Sequence, residues 1–307
     1  MIQTQIALIQ RELWEHRAIY VAPIVIAIIV SLMLITGQVA VSNFSQVIDI
    51  AILGATNLGD NERAAAITLM MTATSPMFLI TMWIMTIFYA LDSLYAERKD
   101  RSILFWRSLP VTDAETVVSK LLITLIVIPL ITFALIMLTH LVILTIVSVW
   151  LGFRGADAWH LIWSAAPLFD TWFATLVFIL TLPLWLSPFI GWFLFVSALA
   201  KRSPFLIAFL PMVILPMLEK IIFGTSLFAQ AFFERSIQMP LFRGLDMSDF
   251  MSDSGIDKEV IAESGLSLLS LIDFGGFLAS PGLWAGFVVC GLFTAAAVYV
   301  RRFRDET

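Results

Sequence analysis

VVSKLLITLIVIPLITFALIMLTHLVILTIVSVW, residues 117–150, sets the fold class. Over these 34 positions only Lys120 and His140 are ionisable. As a helix rising 1.5 Å per residue the run is roughly 50 Å long, against about 30 Å of hydrocarbon in a bilayer. Transmembrane strands are short and alternate in polarity, so the run reads as a helix. Five further stretches read the same way: Ile19–Val41, Ser75–Leu91 (its start reaching back toward Ala64), Trp172–Ala200, Phe205–Phe223 and Leu283–Val300. The composition agrees, with 60% of the 307 residues hydrophobic and 13% charged, where a soluble domain carries about 25% charged residues. This balance excludes an ordinary soluble enzyme, a disordered chain and a basic nucleic-acid binder. The expected fold is an all-α integral membrane protein of six transmembrane helices, one domain over residues 1–307. Pro129, Pro183, Pro188, Pro211 and Pro216 are expected to kink these helices.

The few charges orient the spans. Arg11, Arg17, the five basic residues between spans two and three, Lys201, Arg202 and the three closing arginines fall in alternate connections. Those connections sum to +3 and the others to −8, which together make the net −5. Basic connections stay in the cytoplasm, so an even number of spans with both termini cytoplasmic is expected. The acidic stretch 219–281 then lies outside. The N-terminus lacks the form of a cleavable signal, because its apolar run begins only at Ile19 and is too long. Instead Ile2, Ile6, Ile9 and Leu13 recur at helical spacing, with Gln3, Gln5, Gln10, Arg11 and Glu12 opposite. That pattern describes an amphipathic helix over residues 1–18 lying in the interface, or a cytoplasmic extension of span one.

The segment from Leu91 to Leu122 holds the densest chemistry. A mixed-charge cluster, Glu97-Arg98-Lys99-Asp100-Arg101, is followed by Ser102, the apolar block Ile103-Leu104-Phe105-Trp106, and Leu109-Pro110. Pro110 stops a helix there. Thr112 and Glu115 form a capping box that restarts one running into span three. A short charged helix carrying several large apolar side chains fits a groove on a partner protein, or lies with its aromatics on lipid headgroups.

These residues resemble a family. Glu97-Arg98, the short helix, Ser108-Leu109-Pro110-Val111-Thr112 and Lys120-Leu121-Leu122 look like the segment between spans two and three of type-2 ATP-binding-cassette (ABC) exporter permeases. The six-span plan, the N-terminal helix and the outer region before the last span extend the resemblance over nearly the whole chain. One departure is Asp100-Arg101-Ser102, where the family commonly has a glycine. The resemblance implies that residues 93–112 form a cytoplasmic coupling segment. Glu97, Arg98, Lys99, Asp100, Arg101, Ser102, Ile103, Leu104 and Phe105 would then contact a separate ATPase subunit, with Lys201 and Arg202 as a second, smaller contact. It also implies a bacterial inner-membrane location, an elbow helix at residues 1–18, a dimer of two permease chains, and two copies of the ATPase.

Chemistry of its own is not expected in this chain. There is no G-x-x-x-x-G-K-[ST] to cradle phosphates, no H-E-x-x-H and no G-x-S-x-G. The single cysteine, Cys290, cannot form an internal disulfide. No catalytic, cofactor or metal residue is expected; ATP and Mg belong to the partner ATPase. His140 reads as a packed residue, and Asp92, Asp170 and Glu219 fall at span ends rather than mid-bilayer. Two other classes stay open: an ion-coupled secondary transporter and a membrane scaffold that recruits a cytoplasmic partner.

Overall fold

A computed structural model of the chain describes residues 2–35, 59–100, 111–153, 155–241 and 267–303. The described residues are helical, with no strand among them. Helix α1 spans Ile2–Glu15 and α2 Ala18–Ile35, with a bend of 57° between them. Next come α3 (Asp60–Thr72) and α4 (Ser75–Lys99), then α5 (Asp113–Leu122), which passes through a π-helical turn at Ile123–Val127 into α6 (Ile128–Phe153). Then follow α7 (Leu168–Trp185), α8 (Ser187–Leu199), α9 (Pro204–Phe223), α10 (Leu227–Ile237), α11 (Phe274–Ala279) and α12 (Pro281–Phe303).

Local chemistry sets most of the boundaries. The expected capping box at the start of α5 forms: the Thr112 hydroxyl accepts from the Glu115 N–H at 3.2 Å, and Glu115 Oε2 accepts from the Thr112 N–H at 2.9 Å. Pro129 cannot donate to the carbonyl four residues back, and the helix widens into the π turn just before it. The stretch Trp172–Ala200 departs from the expectation of one span. It is divided at Leu186, between Pro183 in the last turn of α7 and Pro188 in the first turn of α8. Each proline removes one backbone donor, and two within six residues leave too little of the hydrogen-bond ladder to carry one helix through. The second span is likewise longer than its apolar run, because α3 and α4 together cover Asp60–Lys99 with a break at Ala73–Thr74. Residues 93–99 therefore belong to the end of α4 rather than to a separate helix. Those from 101 to 110, with the apolar block, lie outside the described residues.

Among the described residues, five helical segments are long and apolar enough to cross a membrane, or six if the bent α1–α2 pair counts as one. This is compatible with a multi-pass membrane protein. Helix α9 makes the argument most directly. It is apolar on every side as far as Leu218, yet Ala208 is its one buried residue, and Leu206, Leu210, Val213, Met217, Ile221 and Phe223 are exposed. Such a surface is favourable against hydrocarbon and not against water.

The core forms where α8 lies between α4 and α12. Ala90, Leu91 and Leu94 of α4, Ile190, Phe193, Leu194 and Val196 of α8, and Ala297 of α12 bury one another. The closest approach is at Gly191, where an added Cβ would lie 2.9 Å from the Cα of Cys290. A small residue there lets two backbones meet, and dispersion contacts, not water exclusion, hold helices together in lipid. Gly286, which with Gly282 forms a small-residue face at the start of α12, serves a different neighbour. A side chain on it would collide with the Arg235 guanidinium, which stacks 3.8 Å from the centre of the Trp185 ring and donates to the Gly282 carbonyl at 2.7 Å. Replacing Gly191 by Val is therefore expected to lower stability by about 3 kcal/mol. Gly291→Ala, one residue beyond Cys290 with open space around it, is expected to be neutral or slightly stabilising. Thermal unfolding in detergent micelles compares the two.

Candidate functional site

The end of the bundle at which α1, α4, α5 and α12 meet holds a buried ionic cluster. Glu12, expected on the water face of α1, is only 1% exposed and turns toward the bundle, while Ile6 and Trp14 of the same helix are exposed. Lys120, in the last turn of α5, is fully buried. Its ammonium lies 2.7 Å from Glu12 Oε1 and 3.0 Å from Glu97 Oε1 at the end of α4. Tyr89 donates its hydroxyl to Glu12 Oε2 at 2.8 Å. Arg301, near the end of α12, donates from Nη1 to Glu97 Oε2 and from Nε to Asp113 Oδ1 at 2.8 Å. Arg11 completes the set, with Nη2 3.5 Å from Glu97 Oε1.

Three carboxylates and three cations alternate here, and Arg11 also binds the exposed Glu15 on its own helix at 2.8 Å. Pairing is what makes burial tolerable, because an unpaired ion away from water costs several kcal/mol. The arrangement also fixes geometry. Glu97 receives charge from three helices at once, and Lys120 bridges α1 to α4 beside the direct bond from Tyr89 to Glu12. A further tie is the Gln5 amide, which donates to the Glu115 carbonyl at 3.2 Å.

The residues expected to contact a partner divide into two groups here. Glu97 is 5% exposed and faces the cluster. Arg98 turns to the neighbouring helix, where its Nη2 donates to the carbonyls of Ser197 at 2.7 Å and Ala200 at 2.8 Å. The Ser197 hydroxyl in turn accepts from the amides of Leu94 and Tyr95. Lys99 and Asp100 are exposed, as are Lys201 and Arg202 in the turn after α8. Arg98 therefore brings the two expected contacts to one place. Arg101, Ser102, Ile103, Leu104 and Phe105 lie outside the described residues.

The remaining buried polar groups are occupied locally. His140, fully buried in α6, lies with Nε2 3.0 Å from the Met71 carbonyl, at the break between α3 and α4, and its Nδ1 accepts from Trp172 Nε1 at 3.3 Å. With Nδ1 accepting and Nε2 donating, the ring is a neutral imidazole that satisfies a carbonyl at the end of α3. Asp170 accepts from the Ser267 hydroxyl and the Leu268 amide, and Glu219 from the Thr225 hydroxyl and the amides of Leu227 and Phe228. Among the described residues no group of three or more His, Cys, Asp or Glu side chains is placed to hold a metal ion.

Neither family models nor searches of curated proteins and of solved structures give a match to this chain. The cluster itself left one signal in the sequence. Lys120 is the only charged residue between Glu115 and Arg154, and a lone ammonium entering an apolar run requires carboxylates nearby. Which carboxylates supply them depends on the packing of α1 and α4, which no local pattern encodes.

Two outcomes follow for this region. Lys120→Met strands the Glu12 carboxylate and is expected to cost about 3–5 kcal/mol, with part of the loss recovered when Glu12→Gln is added. Lys99→Met, on the exposed side of the end of α4, should stay within about 0.5 kcal/mol of the parent. A double-mutant cycle on thermal or denaturant unfolding measures the first, and the single variant the second. At the other site, His140→Phe leaves the Trp172 N–H unpaired, while the Met71 carbonyl keeps the Thr74 hydroxyl at 2.8 Å, and the change is expected to cost about 1–3 kcal/mol, read by the same unfolding measurement.

Proposed function

We propose that this chain is the membrane subunit of an ABC exporter of the type-2 class. It crosses a bacterial inner membrane six times with both termini in the cytoplasm, pairs with a second permease chain, and works with two copies of a separate ATPase that carries ATP and Mg. The chain does no bond chemistry. It converts nucleotide-driven motion of the ATPase into alternating exposure of a path between two permease chains.

One observation carries the reading: the Arg98 hydrogen bonds to the Ser197 and Ala200 carbonyls, which set Lys99 and Asp100 beside Lys201 and Arg202. A docking surface that transmits force needs exposed charges joined to buried structure. Here the exposed charges adjoin the buried ionic cluster. The division of charge into a +3 and a −8 side supports the orientation. Asp170 and Glu219 are occupied by N–H and O–H donors, which argues against either as the ion site of the ion-coupled alternative. Glu97 and Arg98 act in this reading as internal supports, and Lys99, Asp100 and the residues after them meet the ATPase.

The test is co-purification of the full chain from its native membrane. An ATPase subunit with vanadate-sensitive ATP hydrolysis is expected to accompany it. Lys99→Glu combined with Lys201→Glu and Arg202→Glu is expected to weaken that association about tenfold or more without unfolding the chain. Retention of the ATPase at full strength by this variant removes the docking assignment. A proton or sodium requirement for transport, with no ATPase present, selects the secondary transporter instead.

A further inference from the structure

Helix α1 touches the rest of the protein in an unusual way for an amphipathic surface helix. Ile6 and Trp14 are exposed, and Ile9 and Leu13 are only partly buried where they pack on the bundle. The side chains that reach furthest inward are Leu8 and Glu12, with Gln5 and Arg11 joining through their polar ends. Its deepest hold on the bundle is therefore polar, made by the Lys120 ammonium and the Tyr89 hydroxyl on Glu12. That ammonium is shared, with Glu12 on one side and Glu97 on the other. Glu97 in turn lies two residues before Lys99, where α4 ends and the chain enters residues 101–110.

A shared buried cation couples its two carboxylates. When the end of α4 shifts, Glu97 leaves Lys120, and no solvent is at hand to take its place because Glu12, Glu97 and Lys120 are all nearly inaccessible. The ammonium then follows one carboxylate or the other, so the local network has discrete arrangements and not a continuous range. The bend of 57° between α1 and α2, at His16–Arg17, allows α1 to move without displacing α2.

We propose that α1 is a latch whose docking is controlled by Glu97 through Lys120, so that displacement of the end of α4 releases it. As a step in coupling to an ATPase this rests on the exporter assignment; as a property of the chain it does not. Glu97 and Lys120 are positioning residues: Lys120 holds α1 directly through Glu12, and Glu97 acts through Lys120 and beside Arg11.

Backbone amide exchange of the full chain in lipid nanodiscs tests it. In Glu97→Gln and in Lys120→Met, amides 6–13 of α1 are expected to exchange roughly tenfold faster than in the parent, while those of α8 stay unchanged and report an intact fold. Lys120→Arg, which keeps the charge, should remain closer to the parent than Lys120→Met. Lys99→Met, which removes an exposed charge from the same helix end, should leave α1 protected. The latch is overturned if Glu97→Gln leaves α1 exchange at the parent level, or if Lys99→Met raises it equally. Should Lys120→Met not fold, Glu97→Gln decides alone, since it preserves shape. None of these arms requires an ATPase, so a chain that co-purifies with none still decides for or against the latch. In a complex that does contain one, trapping with ATP and vanadate is expected to change α1 exchange. No change there removes the latch from coupling and leaves the membrane-subunit assignment standing.

Discussion

Lys120 has no access to water, and everything around it answers to that fact. A primary ammonium is strongly hydrated, and taking it from solvent is tolerable only when carboxylates replace its shell at hydrogen-bond distance. Glu12 and Glu97 do so, and each then needs its own remaining oxygen satisfied. Tyr89 serves Glu12, and Arg301 serves Glu97. Arg301 in turn draws Asp113, the first residue of α5. One buried cation thus determines the relative placement of the ends of α4, α5 and α12 and the seat of α1. Such a cluster is weak evidence for high stability, since an apolar substitute of equal volume often serves as well, but it is demanding about geometry.

The rest of the bundle is organised by a different force. Between α8 and α12 the contact at Gly191 is apolar, because its missing side chain lets the helices approach until the chain at Cys290 is within van der Waals reach. Away from the charged end, side chains donate to main-chain carbonyls: His140 to Met71 at the break between α3 and α4, and Trp192 to Ala208 inside α9, at 3.1 Å. Glu219 does the converse for the amides that open α10. In a nonpolar surrounding the ring N–H groups of His140 and Trp192 would be costly if left unpaired.

Much of this was legible in local patterns. The long apolar run of residues 117–150 specifies a helix too long for a soluble core, and α5–α6 occupies it. Thr112 and Glu115 specify a helix start, and the capping box forms at those residues. The proline pair at 183 and 188 signals a kink, though not that one helix ends and the next begins at Leu186. The amphipathic pattern of residues 2–13 was legible as a helix but misleading as a guide to burial. Its polar side includes Glu12, which meets a cation rather than water.

The helical class, the apolar segments and the uneven division of charge follow from the amino-acid order alone, because hydropathy and charge act over a turn or a loop and need no knowledge of neighbours. Which charges pair came only with the packing of the helices. Glu12, Glu97, Lys120 and Arg301 are separated by up to 289 positions in the chain, and electrostatic pairing depends on distance in space. Packing also made Glu97 and Arg98, adjacent in sequence, face different neighbours, since successive residues on a helix point about 100° apart and each finds the partner that its own side of the bundle offers.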